Sequence, residues 1–173
     1  MINSASDEIS ISKNSESKNS DLVNKITFLL ISIVNDNEDR NFSNQYKIQK
    51  KHSFYCSTPA SITIGKYIER IVKYTYIEDS TLILAMIYID RICQYNENIL
   101  LIEKNLHRIL FASILLAIKI NEDEFFTNSY YSKVAGIYLW EINRIEYDFT
   151  KLIDFNFFVS KDLFEKYKAL LIN

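Results

Sequence analysis

The stretch from Ile102 to Ile120 (IEKNLHRILFASILLAIKI) constrains this chain more than any other. Leu106, Ile109, Leu110, Ser113, Ile114, Leu116 and Ala117 recur at helical spacing and cover more than half of the circumference. A helix that is apolar nearly all round cannot lie on a surface, so other helices must be wrapped around it. With 2 Gly and 1 Pro in 173 residues the chain lacks the punctuation of a turn-rich sandwich, and 48% apolar residues is too many for a disordered one. The expected fold is all-α: an orthogonal bundle of about five helices around a central apolar helix, with extra N- and C-terminal helices.

The remaining elements follow from period and punctuation. Residues 1–20 have no sustained apolar face and read as a disordered tail, leaving 21–173 as a single domain. Leu22, Ile26, Leu29, Leu30 and Ile33 predict a first helix over 21–35, ending in an Asn/Asp cluster. No period holds from Asn35 to Pro59, a segment long enough to be functional or packed along the surface, which carries the basic run Lys47, Lys50, Lys51 and His52. Ile64, Ile68, Ile71 and Val72 mark a second helix to about Tyr76. Glu78-Asp79-Ser80 then opens a third, with Leu82, Met86, Ile89 and Cys93 as its stripe. Beyond the central helix come the acidic loop Asn121-Glu122-Asp123-Glu124, a short helix near 129–136, a longer one over 139–154, and a last one over 160–171 capped by Ser160. Phe155 to Phe158 alternates like a strand but is too short for a hairpin and reads as a connection.

The chemistry that is missing narrows function. Lys plus Arg number 20 against 22 Asp plus Glu, so no global positive field draws the chain to nucleic acid or anionic lipid. No apolar run is long enough to span a bilayer, and the polar N-terminus does not resemble a secretory signal, which predicts a soluble intracellular protein, cytoplasmic or nuclear. Cys56 and Cys93 have no nearby Cys or His partners and read as free thiols. His52 and His107 belong to no motif. Glu103 shares a helix face with His107, but the second such pair that a di-metal bundle needs is not found. Gly65 and Gly136 lie in or at the ends of helical patterns, so there is no phosphate-cradling loop, and the acidic loop lacks calcium-ligand spacing. These readings predict no catalytic residue, no cofactor and no metal, in a chain that is monomeric when isolated and acts by binding.

Two ordered motifs carry a resemblance. Leu115-Leu-Ala-Ile-Lys-Ile-Asn-Glu122 followed by Asn143-Arg-Ile-Glu146 resembles the cyclin box, in which a lysine ending the central helix and a glutamate on the fifth helix grip a protein kinase. Asp123, Thr127-Asn128, Tyr131-Ser-Lys-Val-Ala-Gly-Ile137 and Glu141-Ile-Asn-Arg-Ile-Glu146 are similar to the signature of P-type cyclins, called U-type in plants. Phe54, Pro59, Ser61-Ile-Thr-Ile64, Tyr67-Ile-Glu-Arg-Ile71 and Tyr88-Ile-Asp-Arg91 resemble the earlier part of the same box. The resemblance covers roughly Asp21 to Val159 and implies a non-catalytic subunit that binds and activates a cyclin-dependent serine/threonine kinase, of the nutrient- or phosphate-signalling type, as a heterodimer. The alternative is a cyclin-fold scaffold or transcription-factor-like protein without such a kinase. A DNA-binding version needs a basic face, which the charge balance argues against.

By the same resemblance the kinase-binding residues are Lys119 and Glu146, with Ile120, Phe155 and Phe157 as apolar contacts. Thr150 stands where many cyclins place a leucine. Asp123 is expected to meet an arginine of the kinase activation loop, a carboxylate acting where a phosphate acts in other kinases. The chain departs from cell-cycle cyclins in having one box and in lacking a Met-Arg run before Ile64, which leaves Asp90 without its usual partner. Arg70, Arg91 or a hydroxyl can satisfy that carboxylate, and burial without a partner is too costly to tolerate.

Overall fold

The computed structural model describes residues 21–39, 53–97 and 99–172, so the expected tail over 1–20 and the basic run 47–52 lie outside the described residues. Seven helices and no strand occur among them: α1 (21–39), α2 (Ile64–Thr75), α3 (Asp79–Tyr95), α4 (Glu103–Asn121), α5 (Asn128–Ala135), α6 (Leu139–Leu152) and α7 (Lys161–Ile172).

The apolar α4 is buried without interruption from Ile109 to Ile118, whatever face a residue occupies. It is not alone at the centre. α3 is buried from Thr81 to Ile89, and the two lie side by side, so the core is a central pair with α6 closing over α4 and α7 over α3. At about 1.5–3 kcal/mol for each large apolar side chain taken out of water, this pair supplies a large share of the driving force for folding. The small residues Ala112, Ser113 and Ala117 let neighbouring helices approach α4, and Ser113 satisfies its hydroxyl on the Leu110 carbonyl at 2.7 Å.

Side chains tie the outer helices to this pair through backbone groups that helix ends leave unpaired. α2 reaches the last turn of α5, with the Arg70 guanidinium donating to the Lys133 carbonyl at 2.8 Å and the Tyr67 hydroxyl to the Ala135 carbonyl at 3.4 Å. Gly136 ends α5 at φ +73°, the left-handed conformation that closes a helix and that only glycine adopts freely. Ser160 accepts from the Leu163 amide at 3.3 Å and starts α7, as its position suggests.

α1 runs past the expected end at residue 35 to residue 39. The Asn/Asp-rich turn stays helical because distant groups employ it: Asn37 donates to the Leu101 carbonyl at 3.0 Å, and Glu38 accepts from the Glu103 amide at 3.1 Å, at the positive end of α4. The segment after residue 52 is strapped along α4 as well. Arg108 donates to the Ser53 carbonyl at 2.7 Å and pairs with Glu141 at the start of α6, while Phe54 is buried edge-on against Phe149.

Asp90 finds its partner in a hydroxyl. Tyr167 of α7 donates to the Asp90 carboxylate, which also accepts from Gln94 at 2.6 Å. Burial first, and then the Asp90 charge, push the Tyr167 hydroxyl well above its ordinary range and keep it a donor. Arg70 and Arg91 are spent on carbonyls instead. Both cysteines are free, and burial, with Asp90 second, pushes the Cys93 thiol up to about 11, which leaves it unreactive at neutral pH. Replacing Tyr167 by Phe should therefore cost about 1–2 kcal/mol, the range for a hydrogen bond to a charged group that is partly exposed. Urea unfolding of Tyr167→Phe beside wild type measures it, and an unchanged midpoint would show that α7 is held by packing alone.

Candidate functional site

Lys119 and Ile120 emerge where the burial of α4 stops. Ile118 is 3% exposed and Ile120 48%, so one step along the helix passes from core to surface. Lys119 occupies the last turn, where the negative end of the helix dipole favours a cation. Its Nζ lies 2.5 Å from Glu146 Oε1 on α6, with side-chain exposures of 23% and 21%, so the pair sits at the rim of the core. The second carboxylate oxygen, Oε2, accepts from Asn128 Nδ2 at 2.7 Å. Three helices thus meet at one carboxylate, α4 through Lys119, α5 through Asn128 and α6 through Glu146 itself.

Around this centre the expected contact residues divide. Thr150 lies one turn beyond Glu146, is half-buried, and returns its hydroxyl to the Glu146 carbonyl at 2.8 Å. Phe155 is 64% exposed and stands at φ +55°, after Asp154 at +52°. Two consecutive non-glycine residues in the left-handed region are strained, and here they are held by α3. Arg91 donates to the Asn156 carbonyl and, at 3.1 Å, to the Phe158 carbonyl, while the Tyr88 hydroxyl donates to the Phe157 carbonyl at 3.1 Å. Phe157 itself turns inward against the core, its ring centre 5.6 Å from that of Tyr88 in an edge-to-face arrangement. The segment therefore shows Phe155 and Phe158 to solvent and uses Phe157 as the anchor that positions them.

The acidic loop divides too. Glu122 accepts from the fully buried Thr81 at the start of α3 and is structural. Asp123 is exposed and makes no hydrogen bond or ion pair among the described residues. The loop that carries it is fixed downstream, where the Phe126 amide donates to the Tyr131 hydroxyl at 3.1 Å and the Phe126 ring stacks on Tyr130 at 4.3 Å. Phe125 and Tyr147 add exposed aromatic surface that periodicity does not single out, because exposure is set by where neighbouring helices end.

His107 lies elsewhere. Its Nε2 is 2.8 Å from the Ile62 carbonyl and its ring packs on Tyr67 at 5.1 Å, an arrangement that fastens the loop before α2. Among the described residues no group of three or more His, Cys, Asp or Glu could hold a metal ion, and no helix is long and apolar enough to cross a membrane.

The fold is thus an all-helical box in which a lysine in the last turn of the central helix pairs with a glutamate two helices on, next to the exposed Ile120. The sequence model of the cyclin family matches residues 2–157. The chain is 33% identical over 146 residues to Cyclin-U2-1 of Arabidopsis thaliana, covering 80% of this chain and 66% of that one. It is 34% identical over 134 residues to Cyclin-P3-1 of Oryza sativa subsp. japonica, covering 78% and 56%. With PHO85 cyclin-like protein psl1 of Schizosaccharomyces pombe it shares 37% identity over 121 residues, covering 69% and 50%. The matches thus span between half and two thirds of the length of these relatives. The chain belongs to the cyclin family, among relatives that are plant U- and P-type cyclins and a yeast cyclin-like protein.

Burial holds the His107 imidazole below its ordinary value of 6.5, outweighing the upward pull of the Ile62 carbonyl and of Glu103. The unfolded chain therefore takes up a proton that the folded one resists. His107 causes no loss of stability above pH 6.5, and stability falls as pH drops from there through the lowered folded value. Unfolding free energies measured at pH 7 and at about pH 5 should differ less in His107→Gln than in wild type, by up to about 1.4 kcal/mol per pH unit of the window. An identical pH dependence in the two proteins would show that the imidazole protonates freely in the folded state.

Proposed function

We propose that this chain is the regulatory subunit of a cyclin-dependent serine/threonine protein kinase and activates it, in signalling of the nutrient or phosphate type. Cyclins are regulatory subunits and not themselves enzymes, and the name of the fission-yeast relative points to one kinase class. The observation that carries the reading is the Lys119–Glu146 pair at the end of the buried α4, with the exposed Ile120 next along the helix and Thr150 one turn beyond Glu146. Lys119 has protons left for backbone carbonyls of the kinase, and Glu146 has lone pairs left for its backbone amides. Ile120, Phe155 and the Thr150 methyl supply the apolar border, with Phe157 behind them as support.

An active kinase needs the glutamate of its αC helix paired with the lysine of its third strand. A partner that binds only that arrangement shifts the population toward it, so binding energy becomes activation. In this reading Asp123, exposed on the loop after α4, pairs with an activation-loop arginine.

The test is binding and activation across a panel of purified cyclin-dependent kinases. Lys119→Ala and Glu146→Ala should each weaken the tightest complex by about 2–4 kcal/mol, the range for truncating one member of a desolvated charged contact, and hardly alter folding. Wild-type affinity in both, or no binding to any panel kinase, overturns the reading. Asp123→Asn keeps the size of the side chain and removes its charge. It should lower affinity modestly and the activity of the saturated, unphosphorylated kinase more strongly, whereas Lys119→Ala recovers activity at saturation. Equal saturated activities for Asp123→Asn and wild type would mean that the loop carboxylate is a bystander.

A further inference from the structure

Asn128, the first residue of α5, makes two hydrogen bonds with one amide group, donating from Nδ2 to Glu146 Oε2 at 2.7 Å and to Asn143 Oδ1 at 2.8 Å. A carboxylate oxygen only accepts, so the amide has one possible orientation, nitrogen toward α6 and Oδ1 away from it. Oδ1 is then buried and has no donor among the described residues. A buried acceptor without a donor is a cost to the fold that a smaller side chain would avoid. Nor does α5 need this side chain to begin, since the Thr127 hydroxyl already accepts from the Tyr130 amide. The side chain thus leaves one acceptor unmet while both of its amide protons are spent on α6, and the stronger of those bonds orients Glu146.

We infer that Asn128 is a positioning residue for the partner contact: with Lys119 holding Oε1, it holds Oε2 and fixes the carboxylate plane in which Glu146 accepts from a kinase backbone. This rests on the reading of Lys119 and Glu146 as the kinase-gripping pair. A carboxylate held by Lys119 alone can pivot about that single bond, and ordering it becomes part of the cost of association. Held at both oxygens, it meets the partner already oriented. Asn143, which takes the other proton of the same amide, keeps Asn128 in place from one turn earlier on α6.

A residue that served only to join α5 to α6 would affect affinity independently of Glu146, which a double-mutant cycle detects. The panel kinase bound tightest by the wild-type chain is the probe. Asn128→Ala should leave Tm within a few degrees of wild type and raise Kd about tenfold, the scale of one charge-assisted hydrogen bond. In a Glu146→Ala background the same change should leave Kd unaltered. Asn128→Asp keeps the shape and favours the start of a helix, so it stays folded, but it sets a second carboxylate against Glu146 and should weaken binding at least as much. If Glu146→Ala weakens the complex while Asn128→Ala does not, or if the two losses add, the positioning role is overturned and the kinase reading stands. If neither Lys119→Ala nor Glu146→Ala changes affinity, the kinase reading falls and this inference with it.

Discussion

The burial of α4 on every side is the constraint on which the other elements depend. A helix with no solvent face needs neighbours all round, and α3 meets that need only by being buried itself, so the two form one object that the remaining helices cover. Functional groups on such a helix can appear only at its ends. Burial holds to Ile118, and the next two residues are Lys119 and Ile120. The buried helix thus fixes where Lys119 and Ile120 emerge, and α3 does the same for the segment after α6 through Tyr88 and Arg91.

What could be read before the structure was whatever depends on period or on neighbours in sequence. The apolar circumference of 102–120 and the Ser160 cap are of that kind, whereas Lys119 and Glu146, 27 residues apart, are singled out only by the resemblance to a family motif. What could not be read depends on partners far along the chain. Asn and Asp at the end of α1 look like a helix stop and remain helical because Leu101 and Glu103 use Asn37 and Glu38. The Asp90 carboxylate waits for a tyrosine on α7, 77 residues later. Arg108 and Glu141 are unremarkable charges until α4 and α6 are packed. Phe155 and Phe157 are two apart and look equivalent, yet one faces solvent and the other the core, because two left-handed residues break the alternation that a reader would extend through them. That break is strain held from outside the segment, and nothing in residues 153–158 announces it.

The way the centre of the site neutralises itself bears on what it can recognise. Lys119 and Glu146 face each other at 2.5 Å, so neither presents an isolated charge to a distant partner. A purely acidic surface would repel Glu146 and leave its spare lone pairs unmet, and a purely basic one would repel Lys119 and leave its spare protons unmet. A partner that offers acceptors and donors together displaces nothing: an ammonium has three protons, a carboxylate about four acceptor sites, and the internal bonds use one and two of these. Backbone at a bend or a helix end presents carbonyls and amides side by side at this scale and carries no net charge. On the proposed reading, a near-neutral chain with 20 basic and 22 acidic residues would discriminate by geometry at close range and not by a long-range field, with the exposed Ile120 and Phe155 as apolar area and the polar centre setting the register. Under this arrangement the accuracy with which Glu146 is held matters more than its charge, which is why a side chain that costs the fold an unsatisfied acceptor can be worth keeping beside it.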